Sequence, residues 1–330
     1  MNIQRLFIIT LVIFLLLINC TNALADEWVL KFGSHANQNL LYSQAIVKIS
    51  EWAEERSEGR LKIETFFGGQ LGNERDAIES VKMGTFDMTL CGASSLGVWQ
   101  NDFNILGMAF IWKDIDHLTK VVRGPIGQEM IDKLVKETGI KIIDMGWIFG
   151  ERHFNTNTLI RTPDDIAGLK IRTPEVPIYV SNLKAMGATP VAMSSSETFV
   201  AIQTGVIDGQ ENAPDTIYAN KMYEVTKYLC LSSHVIQNQA ILINNRIFNK
   251  MPEDLQNILV EATIDAGEWN NQQVVENAER CIQLLKDEGM IVIDDVDRDA
   301  FREKSVPLIL EEWGDTWAEG LYEKIKEAAD

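Results

Sequence analysis

GLKIRTPEVPIYVSNLKAMGATPVAMSSSETFVAIQTGVIDGQEN (168–212) alternates between two kinds of pattern. GLKIRTP reads as a short apolar strand, and VPIYVSNLKAMGA (176–188) as a helix stopped by a glycine. TPVAM (189–193) is a second strand, and SETFVAIQTG a second helix, with Ser196 its expected cap and Phe199, Val200 and Ile202 its apolar positions. Short strands alternating with helices imply an α/β fold built on mostly parallel sheet. Arg172 closes the first strand, and GQEN (209–212) closes the segment.

The same alternation extends outward. EWVLKFGSH (27–35) starts as a strand and ends in small and polar residues, the form of a strand feeding a site. In the helix that follows, Tyr42, Ala45, Ile46, Ile49, Trp52 and Ala53 share one face at the helical period. SEGRLKIETF (57–66) gives a turn and a strand, GGQLG (68–72) a loop, and Asn73 a cap for the helix carrying Ala77, Ile78 and Val81. FDMTL (86–90), KIIDMGW (141–147) and AILINN (240–245) read as further strands. From Pro252 an uninterrupted helical pattern runs to about Gly289, roughly 55 Å if straight, so it should span more than one lobe or bend, with Gly267 a candidate bending point. A last acidic helix is expected near 306–328.

At 330 residues the chain exceeds the usual single domain, so two lobes are expected. Arg5 precedes the uncharged run LFIITLVIFLLLINC (6–20), and Ala23-Leu24-Ala25 fits a small-x-small cleavage site, so residues 1–25 read as a signal peptide cleaved after Ala25. A retained membrane helix and lipid attachment at Cys20 are the rival readings. Beyond residue 25 the chain carries 29 basic and 48 acidic residues, a net charge of −19, against −18 for the whole. That balance argues against a nucleic-acid partner, which demands a basic face. Neither Cys91, Cys230 and Cys281 nor the histidines show metal-ligand spacing, and no cofactor motif is present, so no metal or cofactor is expected. The cysteines read as buried small hydrophobes.

Against this acidic background Arg152 and Arg172 stand out. Arginine offers a planar fork of donors that fits a carboxylate in two parallel bonds, which suggests holding an anion rather than reacting with it. KFGSH, SEGRLKIETFFGGQLGNERD, VKMGTFDM, GLKIRTP, MGATPVAM, AIQTGVIDGQEN and NKMYEVTKYL, in this order and spacing, resemble the solute-binding proteins of tripartite ATP-independent periplasmic (TRAP) transporters. The resemblance covers most of the chain. It implies a two-lobed periplasmic-binding-protein-like fold, with a long helix crossing both lobes and an organic acid closed between them. It also implies a periplasmic location and delivery to small and large membrane subunits driven by an ion gradient. The expected division is 26–150 for the first part of lobe I and 151–237 for the main part of lobe II. Residues 238–330 are then the return to lobe I, with the long bridging helix and a C-terminal helix.

The resemblance assigns Arg172 the main salt bridge to the ligand carboxylate, Arg152 a second arginine of the site, and Asn212 an amide donor to the same group. His35, Glu74, Asp215 and Gln239 match its ligand-facing positions less firmly, and Glu211 reads as a partner orienting an arginine. Sialic-acid-binding members carry an acid and an arginine after the FDMTL-like strand; this chain has Gly92 and Ser95 there, which argues against sialic acid. Ser194, Ser195 and Asn212 suit a hydroxylated ligand, so a sugar acid such as a hexuronate is favoured over a C4-dicarboxylate. A glycosidase carboxylate pair is the enzyme alternative, but no GxSxG, HExxH or P-loop is present and the chain is not read as an enzyme. A ligand sensor for a membrane receptor would share the same fold.

Overall fold

The computed structural model describes residues 27–70 and 72–329; the expected signal peptide and Cys20 lie outside them. The chain opens with β1 (Trp28–Gly33), α1 (Leu41–Arg56) and β2 (Leu61–Phe66), and β1 and β2 pair in parallel. α1 buries Tyr42, Ala45, Ile46, Ile49 and Ala53, the face expected from its periodicity. Asn73 caps α2 (Glu74–Met83) reciprocally. Its side chain accepts the Asp76 N–H at 3.0 Å, and the Asp76 carboxylate accepts the Asn73 N–H at 3.0 Å. β3 (Met88–Gly92) then joins β1 in parallel, and α3 (Ile115–Val122) and α4 (Pro125–Thr138) follow.

The next strand departs from expectation. KIIDMGW is only the start of β4 (Ile140–Thr156), which runs for 17 residues. AILINN is likewise the end of β8 (Tyr228–Asn244), another strand of 17 residues. Between them lie β5 (Lys170–Thr173), α5 (Pro177–Met186), β6 (Thr189–Ala192), α6 (Ser195–Gln203), β7 (Gly209–Asn212) and α7 (Pro214–Ala219). The cap of α6 is Ser194 rather than Ser196: its N–H donates to the Glu197 carboxylate at 3.2 Å. Val200 points outward, 57% exposed, so the buried face of this helix is narrower than its apolar residues suggest.

The strands form one nine-stranded sheet in the order β2-β1-β3-β8-β4-β7-β5-β6, with β9 (Ile291–Ile293) also paired to β8. β1–β2, β1–β3, β5–β6, β5–β7 and β8–β9 are parallel, as the alternating pattern requires. The centre is antiparallel, because β4 and β8 pair with each other, β3 with β8 and β7 with β4. At about 3.4 Å per residue, β4 and β8 each span roughly 55 Å. They carry one parallel group, β1 to β3, at one end and the other, β5 to β7, at the opposite end.

After α8 (Asn245–Phe248) comes α9 (Glu253–Asp287), 35 residues without a break. Gly267 does not interrupt it. A Cβ there would lie 2.5 Å from Nε1 of the buried Trp147, so the glycine lets a strand indole pack against the helix backbone. The expected helix at 306–328 is two helices, α10 (Arg298–Trp313) and α11 (Leu321–Glu327). α10 starts early because Asp297 accepts the Ala300 N–H at 2.9 Å, and it carries Pro307 in its interior. The return of 238–330 to the first half is also incomplete. β9 pairs with β8 at Tyr228–Cys230, the far end, and Ser181 of α5 donates to Glu312 of α10. Cys91 and Cys230 are buried, and Cys281 is partly so.

Candidate functional site

The two parallel groups face each other across a cleft of about 510 Å3. Arg152 of β4 and Glu211 of β7 meet on adjacent antiparallel strands, where Phe154 pairs with Glu211. Arg152 donates from Nε to Glu211 Oε2 and from Nη2 to Oε1 at 2.9 Å and to the Glu211 carbonyl at 2.7 Å. Nη1 donates to Gln237 Oε1 at 2.6 Å. The guanidinium also lies 5.3 Å from the Tyr179 ring centroid and 5.6 Å from that of Phe149. Thr173 Oγ1 donates to Glu211 Oε1 at 2.9 Å, and His234 Nε2 lies 3.6 Å from Oε2. Burial alone would raise the Glu211 carboxyl, but Arg152 and the His234 contact outweigh it and hold it below the usual carboxylate range. Glu211 is thus the orienting partner expected of it, and Arg152 is already neutralised.

Arg172, at the end of β5, is the opposite case. It is 4% exposed, and its hydrogen bonds run from Nε and Nη2 to one acceptor, the Met193 carbonyl, at 3.0 and 2.8 Å. No carboxylate pairs with it among the described residues. Burial, and then the positive charge of Arg152, bring its pKa from 12.5 down to about 10. A buried cation without a counter-charge is costly to maintain, and this one lines the cleft.

The cleft also gathers Asn212, His35, Glu74 and Gln239, so every expected site residue but Asp215 lines it. Glu74 Oε1 accepts the Gly92 N–H at 2.5 Å and the Ser95 hydroxyl at 3.2 Å. Asn212 Oδ1 accepts its neighbour's N–H, from Ala213, at 3.0 Å. Gln239 Oε1 and His35 Nδ1 are buried with no partner. Asp215 stands apart because the start of α7 turns its carboxylate onto Thr216, whose N–H and hydroxyl it accepts at 2.6 and 3.2 Å. Burial raises its pKa to about 6. Thr216, not Asp215, faces the cleft.

Several lining groups escaped the sequence reading. Arg75 and Glu175 bring charge to the cleft, and Gln237 bridges it to Arg152. Gln237 was findable, since it sits two residues before Gln239 and alternate strand residues share a face. Arg75 was not, because an exposed arginine in a first helical turn has no distinguishing pattern. Among the described residues no cluster of acidic, histidine or cysteine side chains could hold a metal ion.

Residues 32–314 match the family model of bacterial extracellular solute-binding proteins, family 7. The chain belongs to this family. Its relatives include the 2,3-diketo-L-gulonate-binding periplasmic protein of Escherichia coli, 31% identical over 85% of each chain. The C4-dicarboxylate-binding periplasmic protein of Rhodobacter capsulatus is 30% identical over 81% of this chain and 80% of its own. A TRAP solute-binding protein from Ochrobacterium anthropi, solved with bound L-fuconate, superposes with a TM-score of 0.86. It is 30% identical, and the match covers 92% of this chain and all of the other. This family 7 chain is accordingly a two-lobed TRAP solute-binding protein for organic acids, not an enzyme, and the family is periplasmic and works with TRAP membrane subunits. Among the described residues no helix is long and apolar enough to cross a membrane.

Proposed function

We propose that this protein captures a sugar acid, an aldonate or hexuronate, in the cleft and delivers it to the membrane subunits of its transporter. The observation that carries this reading is Arg172. Deep in the cleft Glu211 already neutralises Arg152, so one buried positive charge remains to be matched by one carboxylate. Arg172 would hold that carboxylate through its fork, with Asn212 donating its amide and Arg152 shaping the wall behind. Gln239 Oε1 and His35 Nδ1 then await donors, and Glu74 accepts further ones; ligand hydroxyls supply them. The lobes follow the two parallel groups, 26–150 and 151–237, with 238–330 contributing to both. Export with cleavage after Ala25 completes the reading.

One observation favours a second reading, a C4-dicarboxylate. Arg75 lines the cleft, is exposed and makes no ion pair among the described residues, so it could meet a second carboxylate near the mouth. A thermal-shift screen of aldonates, uronates, C4-dicarboxylates and 2-oxo acids tests both. A ligand at a hundred times its dissociation constant adds about 2.7 kcal/mol of stability. Stabilisation by dicarboxylates alone would overturn the sugar-acid assignment.

A further inference from the structure

The cleft continues past the charged groups into a second compartment of about 490 Å3. His35, Tyr42, Gly68, Ser195, Ser196 and Thr216 line both spaces. Each is within the size range of small-molecule sites, about 300–1,000 Å3. Their chemistry differs. Glu74, Arg75, Arg152, Arg172 and Glu175 line the first, whereas no Asp, Glu, Lys or Arg lines the second. The second instead presents the amides of Asn37, Gln38 and Asn220 beside the aromatic rings of Tyr42 and Phe67.

The amides define what can sit there. The side chains of Gln38 and Asn220 make no hydrogen bond to any described residue, and Asn37 uses only its Oδ1, accepting the Asn39 N–H at 3.1 Å. An amide both donates and accepts, as a hydroxyl does. An ionic group would find no fixed counter-charge in this space, and an alkyl chain would strip water from the amides without replacing its bonds. A neutral, hydroxylated unit with an apolar face satisfies the amides and the rings together.

We propose that the ligand has two units: an acid unit whose carboxylate meets Arg172, linked to a neutral sugar or polyol unit seated among Gln38, Phe67 and Asn220. Aldobionic acids have this chemistry. The inference rests on the sugar-acid reading above and extends it. The second compartment lies between the loop after β1 on one side and the start of α6 and end of α7 on the other, so the added unit contacts both halves of the molecule.

Calorimetry on the full mature chain with gluconate, galactonate, cellobionate, lactobionate and the neutral cellobiitol tests it. At least one aldobionate should bind tenfold or more tighter than its parent aldonate, and cellobiitol should not bind. Asn220→Trp, which fills the second compartment, should weaken aldobionate binding at least tenfold, and Gln38→Ala, which removes one exposed amide, by about threefold to fivefold. Both should leave aldonate binding within twofold. Aldonate binding with no gain from the second unit, or equal losses for both lengths in the two variants, overturns the two-unit ligand and leaves the sugar-acid reading standing. If no acid of either length binds, the sugar-acid reading itself fails, and this extension with it.

Discussion

Arg172→Ala separates the cost of holding a charge from its use. This guanidinium is buried, bonded to one carbonyl and not paired with any carboxylate among the described residues. A fall in pKa from 12.5 to about 10 corresponds to roughly 3 kcal/mol spent on keeping the charge there. A ligand carboxylate removes that penalty and adds two charge-assisted bonds. Without Arg172, the carboxylate would keep only the Asn212 amide and an arginine that Glu211 has already paired. Breaking such a pair costs about 3–5 kcal/mol, or two to four decades in affinity. Arg172→Lys should recover part of the loss, because an ammonium lacks the fork. The free variant should behave differently. Relief of the buried charge offsets the two lost bonds to Met193, so its melting point should move by only a few degrees. Calorimetry and thermal melts on each variant give both numbers. Affinity within tenfold of wild type in Arg172→Ala would refute the anchor, and a free variant that no longer folds would recast Arg172 as a structural group.

The other predictions concern the groups around it. Glu211→Gln should destabilise the free protein by about 3–5 kcal/mol, because it strands Arg152 as a second buried cation; an unchanged denaturant midpoint would contradict this. Glu74→Gln should keep the Gly92 N–H bonded to the amide oxygen and turn an NH2 toward the cleft. Titrations should then show a sugar acid weakened about tenfold or more, since bonds to charged groups contribute about 1.5–3 kcal/mol, and tighter succinate would argue for the dicarboxylate. Burial, then the charges of His234 and Arg298, hold His153 neutral down to about pH 3 instead of 6.5. Between those values the unfolded chain binds a proton that the folded one does not, so stability drops as the pH is lowered, by up to about 1.4 kcal/mol per pH unit. Melts of His153→Gln at pH 7, 5.5 and 4 should show a shallower decline.

What could be read beforehand follows from how local each signal is. The faces of α1 and α2, the Asn73 cap and the length of α9 depend on residues a few positions apart, and all appear as expected. β4 and β8 do not. Their pairing shifts register between Ile142 and Asp144, Asp144 and Trp147, Ile148 and Gly150, and Arg152 and Phe154. Each shift breaks the two-residue alternation that marks a strand, so the pattern of KIIDMGW does not carry on visibly through IFGERHFNT. Charge pairing is equally non-local. Arg152 and Arg172 look alike in sequence, and only the strand register that places Glu211 opposite Phe154 gives one an ion-pair partner and leaves the other without one. Asp215 misled because a carboxylate at the start of a helix can turn to its own backbone.

The same irregular strands bear on how binding and shape are linked. Among the described residues β4 and β8 are the two strands that join the parallel groups, and their register shifts lie beside Arg152, Gln237 and Gln239. Gly150 adopts φ +127° and Ser233 φ +40° within this pair, conformations that a regular ladder does not use. The groups lining the floor of the cleft are therefore mounted where the ladder between the two parallel groups is interrupted. His35 and Glu74 reach the cleft from one parallel group, and Arg172 and Asn212 from the other. A ligand that contacts both sets favours the arrangement in which both can be reached, by the difference in contacts between the two states. If Arg172 holds the ligand carboxylate as proposed, an anion is favoured over a neutral polyol of the same shape, because only the anion compensates this buried charge.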